Sequence, residues 1–185
     1  MDQIKRNLEL YYYDMDNGNK EKSREVSEWI HTQRKYDMIS DCNAKRRNYK
    51  GEHPITILNQ YVYVIDYGST VGKEFKDLHL GLVIQNDKGN LYSDTVIVLP
   101  ITDYKTDEKF DKNVHHKIYN HYFESVDRHG LDKNPSKVKI ADITTVDKSR
   151  IGNRVGKLNN KTYGLIIDKL KKILNICWHF FWLYV

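Results

Sequence analysis

The stretch from Tyr61 to Gln85 narrows the possible folds more than any other part of the chain. It reads Tyr-Val-Tyr-Val-Ile-Asp-Tyr, then Gly-Ser-Thr-Val-Gly-Lys-Glu-Phe-Lys-Asp-Leu, then His-Leu-Gly-Leu-Val-Ile-Gln. The outer pieces are β-branched and aromatic and end in turn residues, which predicts two strands. The middle piece holds Gly68 and Gly72 with charges between apolar anchors. It reads as an ordered hairpin loop, neither helix nor linker. That loop delivers Lys73, Glu74 and Lys76, and His79 opens the second strand. A carboxylate, two ammonium groups and an imidazole at one loop–strand junction suit a phosphate-bearing substrate.

The rest of the chain continues the β pattern. Asn86–Asn90 reads as a turn, Asp94–Thr102 as an apolar strand and Asp103–Asp111 as a charged loop. His115–Tyr122 is expected to be an edge strand, and Ser136–Thr145 a strand with Val138 and Ile140 on one face. Asp147–Arg150 forms a turn and Arg154–Leu158 a last short strand. Short strands with irregular turns and no βαβ rhythm predict a small, partly open β-barrel. Asn159–Asn175 is the clearest helix, with Tyr163, Ile166, Ile167, Leu170, Ile173 and Leu174 at helical spacing. Lys169, Lys171 and Lys172 suit its C-terminal end.

Ahead of the barrel, Ile4, Leu8, Tyr11 and Tyr12 share one helical face. After a polar break at Asp14–Asn19, a second helix is expected from an N-cap near Ser23, with Val26, Trp29 and Ile30 on its apolar side. Asn43–His53 reads as a solvated basic connector. The tail Ile176–Val185 is apolar but too short to span a bilayer, and is expected to be buried against the N-terminal helices or a second subunit. The organisation is therefore an N-terminal helical extension (1–42), a basic linker (43–57), a barrel domain (58–175) and an apolar tail (176–185).

A formal charge of +5 over 185 residues favours acidic partners, nucleic acid first. Cys42 and Cys177 have no metal-ligand spacing, and the start of the chain has no secretory apolar run, which is consistent with a reduced cytoplasmic protein. No Rossmann fingerprint or phosphate-cradling glycine loop is present, and no cofactor is expected. His115, His116 and His121 lack acidic or cysteine partners at ligand spacing, so no metal site is assigned to them.

Val64-Ile65-Asp66-Tyr67-Gly68, Val71-Gly72-Lys73-Glu74-Phe75, Gly81–Asp87, Thr95–Thr102 and Thr145-Val146-Asp147-Lys148-Ser149-Arg150 together resemble the MazF/PemK family of toxin ribonucleases. The resemblance covers about residues 58–174. It implies a mainly β fold with helices (α+β): a small SH3-like barrel of the MazF/PemK/CcdB type, with two N-terminal helices and one C-terminal helix. It further implies a metal-independent endoribonuclease on single-stranded RNA, a homodimer, and a cognate antitoxin that blocks the RNA groove. One departure concerns chemistry. His79-Leu80-Gly81 stands where the family usually has Arg-Pro-Ala or similar, and that arginine is catalytic.

Metal-free RNA cleavage uses the substrate's own 2′-hydroxyl and leaves a 2′,3′-cyclic phosphate and a 5′-hydroxyl. Histidine can serve either proton role, whereas arginine is normally restricted to charge stabilisation. The resemblance places His79 at the catalytic arginine, Thr102 at the catalytic threonine and Glu74 at the loop glutamate. His79 is then the acid or base, Thr102 orients the phosphate, and Glu74 orients His79 or serves as its proton-transfer partner. Lys73 and Lys76 supply positive charge, and Arg154 and Lys157 are candidates for phosphate contact. Asp147–Arg150 reads as structural, with Asp147 capping its own turn. A gyrase-poison-type toxin and a non-catalytic RNA-binding regulator remain as alternative functions.

Overall fold

β1 (Tyr61–Asp66) and β2 (Leu78–Val83) form the expected antiparallel hairpin, with Val62 opposite Leu82 and Asp66 opposite Leu78. The computed structural model describes residues 20–70, 74–105, 110–127, 131 and 133–176, together with Lys5, Arg6, Glu9 and Tyr13. The helix expected through Ile4, Leu8, Tyr11 and Tyr12, and the tail from Cys177 onward, lie outside these residues.

The other strands are β3 (Thr95–Asp103), β4 (His115–Ile118), β5 (Phe123–Val126), β6 (Ser136–Lys139), β7 (Thr144–Asp147) and β8 (Ile151–Leu158). They pair antiparallel in the order β4-β6-β3-β2-β1-β8-β5, and β7 adds to β3. β3 is long enough to serve two partners on one edge. Its outer half pairs with β6 (Thr102 opposite Lys137) and its inner half with β7 (Val96 opposite Val146). The single strand expected over Ser136–Thr145 is therefore two strands. A 3-10 turn at Ile140–Asp142 separates them, pinned by fully buried Ile140. The expected strand at His115–Tyr122 likewise stops at Ile118 and ends in a 3-10 turn at Asn120–Tyr122.

The central strands bury both faces, so alternation sorts their side chains into two cores. Val62, Leu82, Leu99, Ile101 and Val138 pack on one side. There they meet Ile166 and Leu170 of helix α3 (Asn160–Ile173), which is N-capped by the Asn159 side chain. Tyr63, Ile65, Tyr67, Val83, Val98 and Val146 pack on the other side. Each fully buried aliphatic contributes about 1.5–3 kcal/mol, more than the ~1 kcal/mol net of a typical hydrogen bond, so these two cores dominate the stability. Ile173 and Leu174, at the end of the α3 stripe, are exposed.

Helix α1 runs unbroken over Lys20–Lys45. Ser23 lies inside it rather than at its start. Ile30 is 59 % exposed, because the stripe facing the sheet runs through half-buried Trp29, Tyr36 and Ser40 to buried Asn43 and leaves Ile30 one residue, roughly 100°, off that line. Tyr36 donates to Asp66 Oδ2 (2.7 Å) and Ser40 donates to Asp147 Oδ2 (2.9 Å). The connector after α1 is only partly a solvated run. Arg47 donates to the carbonyls of Gly51 and Tyr92 and pairs with Asp94, tying the helix end to the sheet. Asn86–Asn90 departs from the expected turn. It opens a short helix, α2 (Asp87–Tyr92), because the Asn86 side chain accepts from Gly89 N as an N-cap. No described helix is long and apolar enough to cross a membrane.

Candidate active site

Leu80 of β2 lies opposite Ile101 of β3. The next residues outward on the two strands are His79 and Thr102, and the register places them side by side. Both line a groove of about 460 Å³, together with Leu78, Asp103, Lys105 and Lys133. The His79 ring lies 4.7 Å from the Phe75 ring, tilted at 56°, and Phe75 packs edge-on against Tyr67 at 4.9 Å. An aromatic wall therefore limits the positions the imidazole can take.

Glu74 lines a neighbouring groove of about 640 Å³ with Thr70, Phe75, Asp142, Thr144 and Arg150. Phe75 lines this second groove and touches His79, so it stands at the boundary between the two. The fold thus brings His79 and Thr102 to one groove and puts Glu74 in the next. Lys76 is exposed and lines neither of them, and Lys73 lies outside the described residues.

Arg154 lines a third groove of about 1150 Å³. Val64 and Leu80 line both the first and the third, so these two are continuous. Arg154 and Lys157 sit on β8, and each already holds a carboxylate. Arg154 Nε donates to Asp127 Oδ2 at 2.6 Å and Lys157 Nζ to Glu124 Oε2 at 2.8 Å. These hydrogen bonds hold both carboxyls below their ordinary range. Exposed pairs of this kind contribute little to stability, so a phosphate competes with the carboxylates at modest cost.

Lys105 and Lys133 are cations of the first groove that sequence reasoning missed. One lies just after Thr102 and the other just before β6. Only the β3–β6 pairing brings them together, and no spacing in the chain signals it.

Asp147–Arg150 is a structural knot. Asp147 caps its own turn by accepting from Ser149 N (2.8 Å). Lys148 is fully buried and donates to the Asn90 carbonyl, and burial pushes its ammonium down to about 8. Arg150 donates to the Tyr67 carbonyl (3.2 Å) and stacks 4.9 Å from the Trp29 ring. The adjacent histidines diverge as expected. His115 lies against Phe110, while His116 is half-buried and pushed down to about 4 by desolvation and then by Lys169. Among the described residues, no group of three His, Cys, Asp or Glu side chains is placed to hold a metal.

Fold and groove define a small antiparallel β protein whose first groove sets a histidine beside a threonine, with Lys105, Lys133 and Asp103 in its lining. Residues 59–174 match the model of the PemK-like, MazF-like toxin of type II toxin–antitoxin systems, and the chain belongs to that family. It is 31% identical over 115 residues to Endoribonuclease EndoA of Bacillus subtilis, an alignment covering 62% of this chain and 88% of that protein. It is 32% identical over 114 residues to Endoribonuclease MazF of Staphylococcus saprophyticus, covering 62% and 82%. Among solved structures, it is similar to a mycobacterial endoribonuclease in complex with its cognate antitoxin. That match has 17% identity and a TM-score of 0.48, and covers 66% of this chain and 98% of the other.

Proposed function

We propose that this chain is the toxin of a toxin–antitoxin pair and acts as an endoribonuclease on single-stranded RNA. The observation that carries this reading is the placement of His79 beside Thr102 in one cation-rimmed groove of a MazF/PemK-family domain. An RNA strand lying there presents its scissile phosphate to both side chains. His79 takes the proton from the 2′-hydroxyl or gives one to the leaving 5′-oxygen. The Thr102 hydroxyl donates to a phosphoryl oxygen, and Lys105 and Lys133 stabilise the negative charge that grows there. The products are a 2′,3′-cyclic phosphate and a 5′-hydroxyl, formed without metal. Glu74 acts from the neighbouring groove, through the loop that also carries Phe75.

The same reading takes the sheet as an SH3-like barrel of the MazF/PemK/CcdB type over residues 58–175. It places a helical extension (1–42) and basic connector (43–57) before the barrel and an apolar tail (176–185) after it. It also takes the working form to be a cytoplasmic homodimer whose groove an antitoxin segment blocks. Exposed apolar side chains on the continuous first and third grooves, Leu78 at 66 % and Val126 at 51 %, support a protein partner there.

The test is incubation of a long mixed-sequence RNA with the purified chain in EDTA, beside His79→Ala. Discrete cuts ending in cyclic phosphate, absent from the variant, are expected. Cuts that persist in His79→Ala overturn the histidine's role, and intact RNA with folded wild-type protein overturns the enzyme.

A further inference from the structure

We propose that the face of β6 and β4 beside Thr102 binds the nucleotides flanking the scissile phosphate. Lys117 and Lys139 contact phosphates there, and Tyr104 and Phe110 take a base. This subsite rests on the ribonuclease reading above. It begins with alternation along β6. Val138 points into the core, so Lys137 and Lys139 point the other way, to the side that carries Thr102. Thr102 lies opposite Lys137, and Lys137 lies opposite Lys117 on the edge strand β4. One row of side chains therefore runs from the His79–Thr102 pair across two strands to the rim. Lys139, opposite His115, stands in the parallel row.

Aromatic rings are interleaved with these ammonium groups. Lys117 Nζ lies 3.8 Å from the Tyr104 ring centre and 4.9 Å from that of Phe110. Tyr104 and Phe110 meet edge-on at 5.7 Å, and Phe110 lies 5.7 Å from His115. Lys139 Nζ lies 5.2 Å from the Phe75 ring, which touches His79, and pairs with Asp142. Single-stranded nucleic acid offers one phosphate and one π-face per residue, and alternating cations and rings match that repeat. The local potential agrees. After burial, Lys137 and Lys139 are the next causes that hold His115 below its ordinary value, against the opposite pull of Asp111 and Asp142.

The experiment uses the full chain and a short RNA carrying 2′-O-methyl groups, which binds but has no 2′-hydroxyl to attack. Its affinity is measured by fluorescence anisotropy over a range of salt, for wild type, Lys117→Gln, Lys139→Gln, Tyr104→Ala and, as a control on α3, Lys172→Gln. Each of the first two substitutions is expected to lower the slope of log affinity against log salt by about 0.7. Tyr104→Ala is expected to weaken binding about fivefold or more without changing the slope, and the control to change neither. Slopes that stay at the wild-type value in both glutamine variants overturn the subsite. The two readings separate cleanly. Cleavage of ordinary RNA with unchanged slopes sinks the subsite and leaves the ribonuclease. Lysine-dependent binding without cleavage keeps the subsite and sinks the ribonuclease.

Discussion

The indole of Trp29 lies directly on the backbone of Gly68. A Cβ at Gly68 would sit 1.8 Å from Trp29 Cη2, and Gly68 itself has φ +73°. Helix α1, outside the family-matched residues, thereby closes on the first residue of the loop that carries Glu74 and Phe75. Glycine is required there twice, once for the left-handed backbone and once for the close approach. Gly68→Ala is expected to destabilise the protein by about 2–4 kcal/mol, read as a lower urea midpoint. In a double-mutant cycle Trp29→Ala should recover part of that loss, and strict additivity would show that the contact carries no energy.

Tyr36 makes the second link between α1 and the same strand end. Its phenol is pushed up to about 12, by burial first and then by its hydrogen bond to Asp66. A neutral form held in the folded state contributes stability that is full below about pH 10 and is lost as the pH rises toward 12. Tyr36→Phe should cost about 1–2 kcal/mol near neutrality and flatten the alkaline fall in stability. Ultraviolet titration should show one late-ionising tyrosine disappearing from the variant.

The reaction itself gives a sharper expectation at Thr102. Loss of one pre-aimed hydroxyl donor typically lowers turnover by about 10²–10³-fold, so Thr102→Val should fall in that range while Thr102→Ser stays within about tenfold of wild type. Single-turnover cleavage of a labelled RNA measures both. Equal rates for Val and wild type would remove Thr102 from the chemistry.

His79→Arg restores the residue that the family resemblance assigns to this place. If His79 moves a proton, the variant should lose one ionisation from its pH–rate profile while keeping part of its activity through charge stabilisation. A profile unchanged in shape would mean that the titrating group is elsewhere.

Acid stability should respond to His116. Its ring, half-buried on the core side of β4, is pushed down to about 4. The unfolded chain takes up this proton at a higher pH than the folded one. The stability from keeping His116 neutral is therefore complete above about pH 6.5 and is lost as the pH falls toward 4. His53 and His115 are also shifted down, mainly by burial, and act in the same direction. Urea midpoints measured between pH 7 and pH 4.5 should fall less steeply for His116→Gln than for wild type.

Much of this molecule is legible in one dimension. The alternating pattern at Tyr61–Asp66 and Leu78–Val83, the stripe on Asn160–Ile173 and the capping carboxylate of Asp147 are local properties, set by side-chain spacing and short-range hydrogen bonds. Family motifs single out His79, Thr102 and Glu74 in the sequence. Local pattern could not show that Ser136–Thr145 turns a corner at Ile140. That corner exists because β3 offers one edge to two strands. Nor could it show that Lys105 and Lys133 join His79 at one groove, that Glu74 faces the next one, or that Trp29 rests on Gly68. Those facts depend on strand register and on packing between residues far apart in the chain, and neither leaves a periodic trace in the sequence.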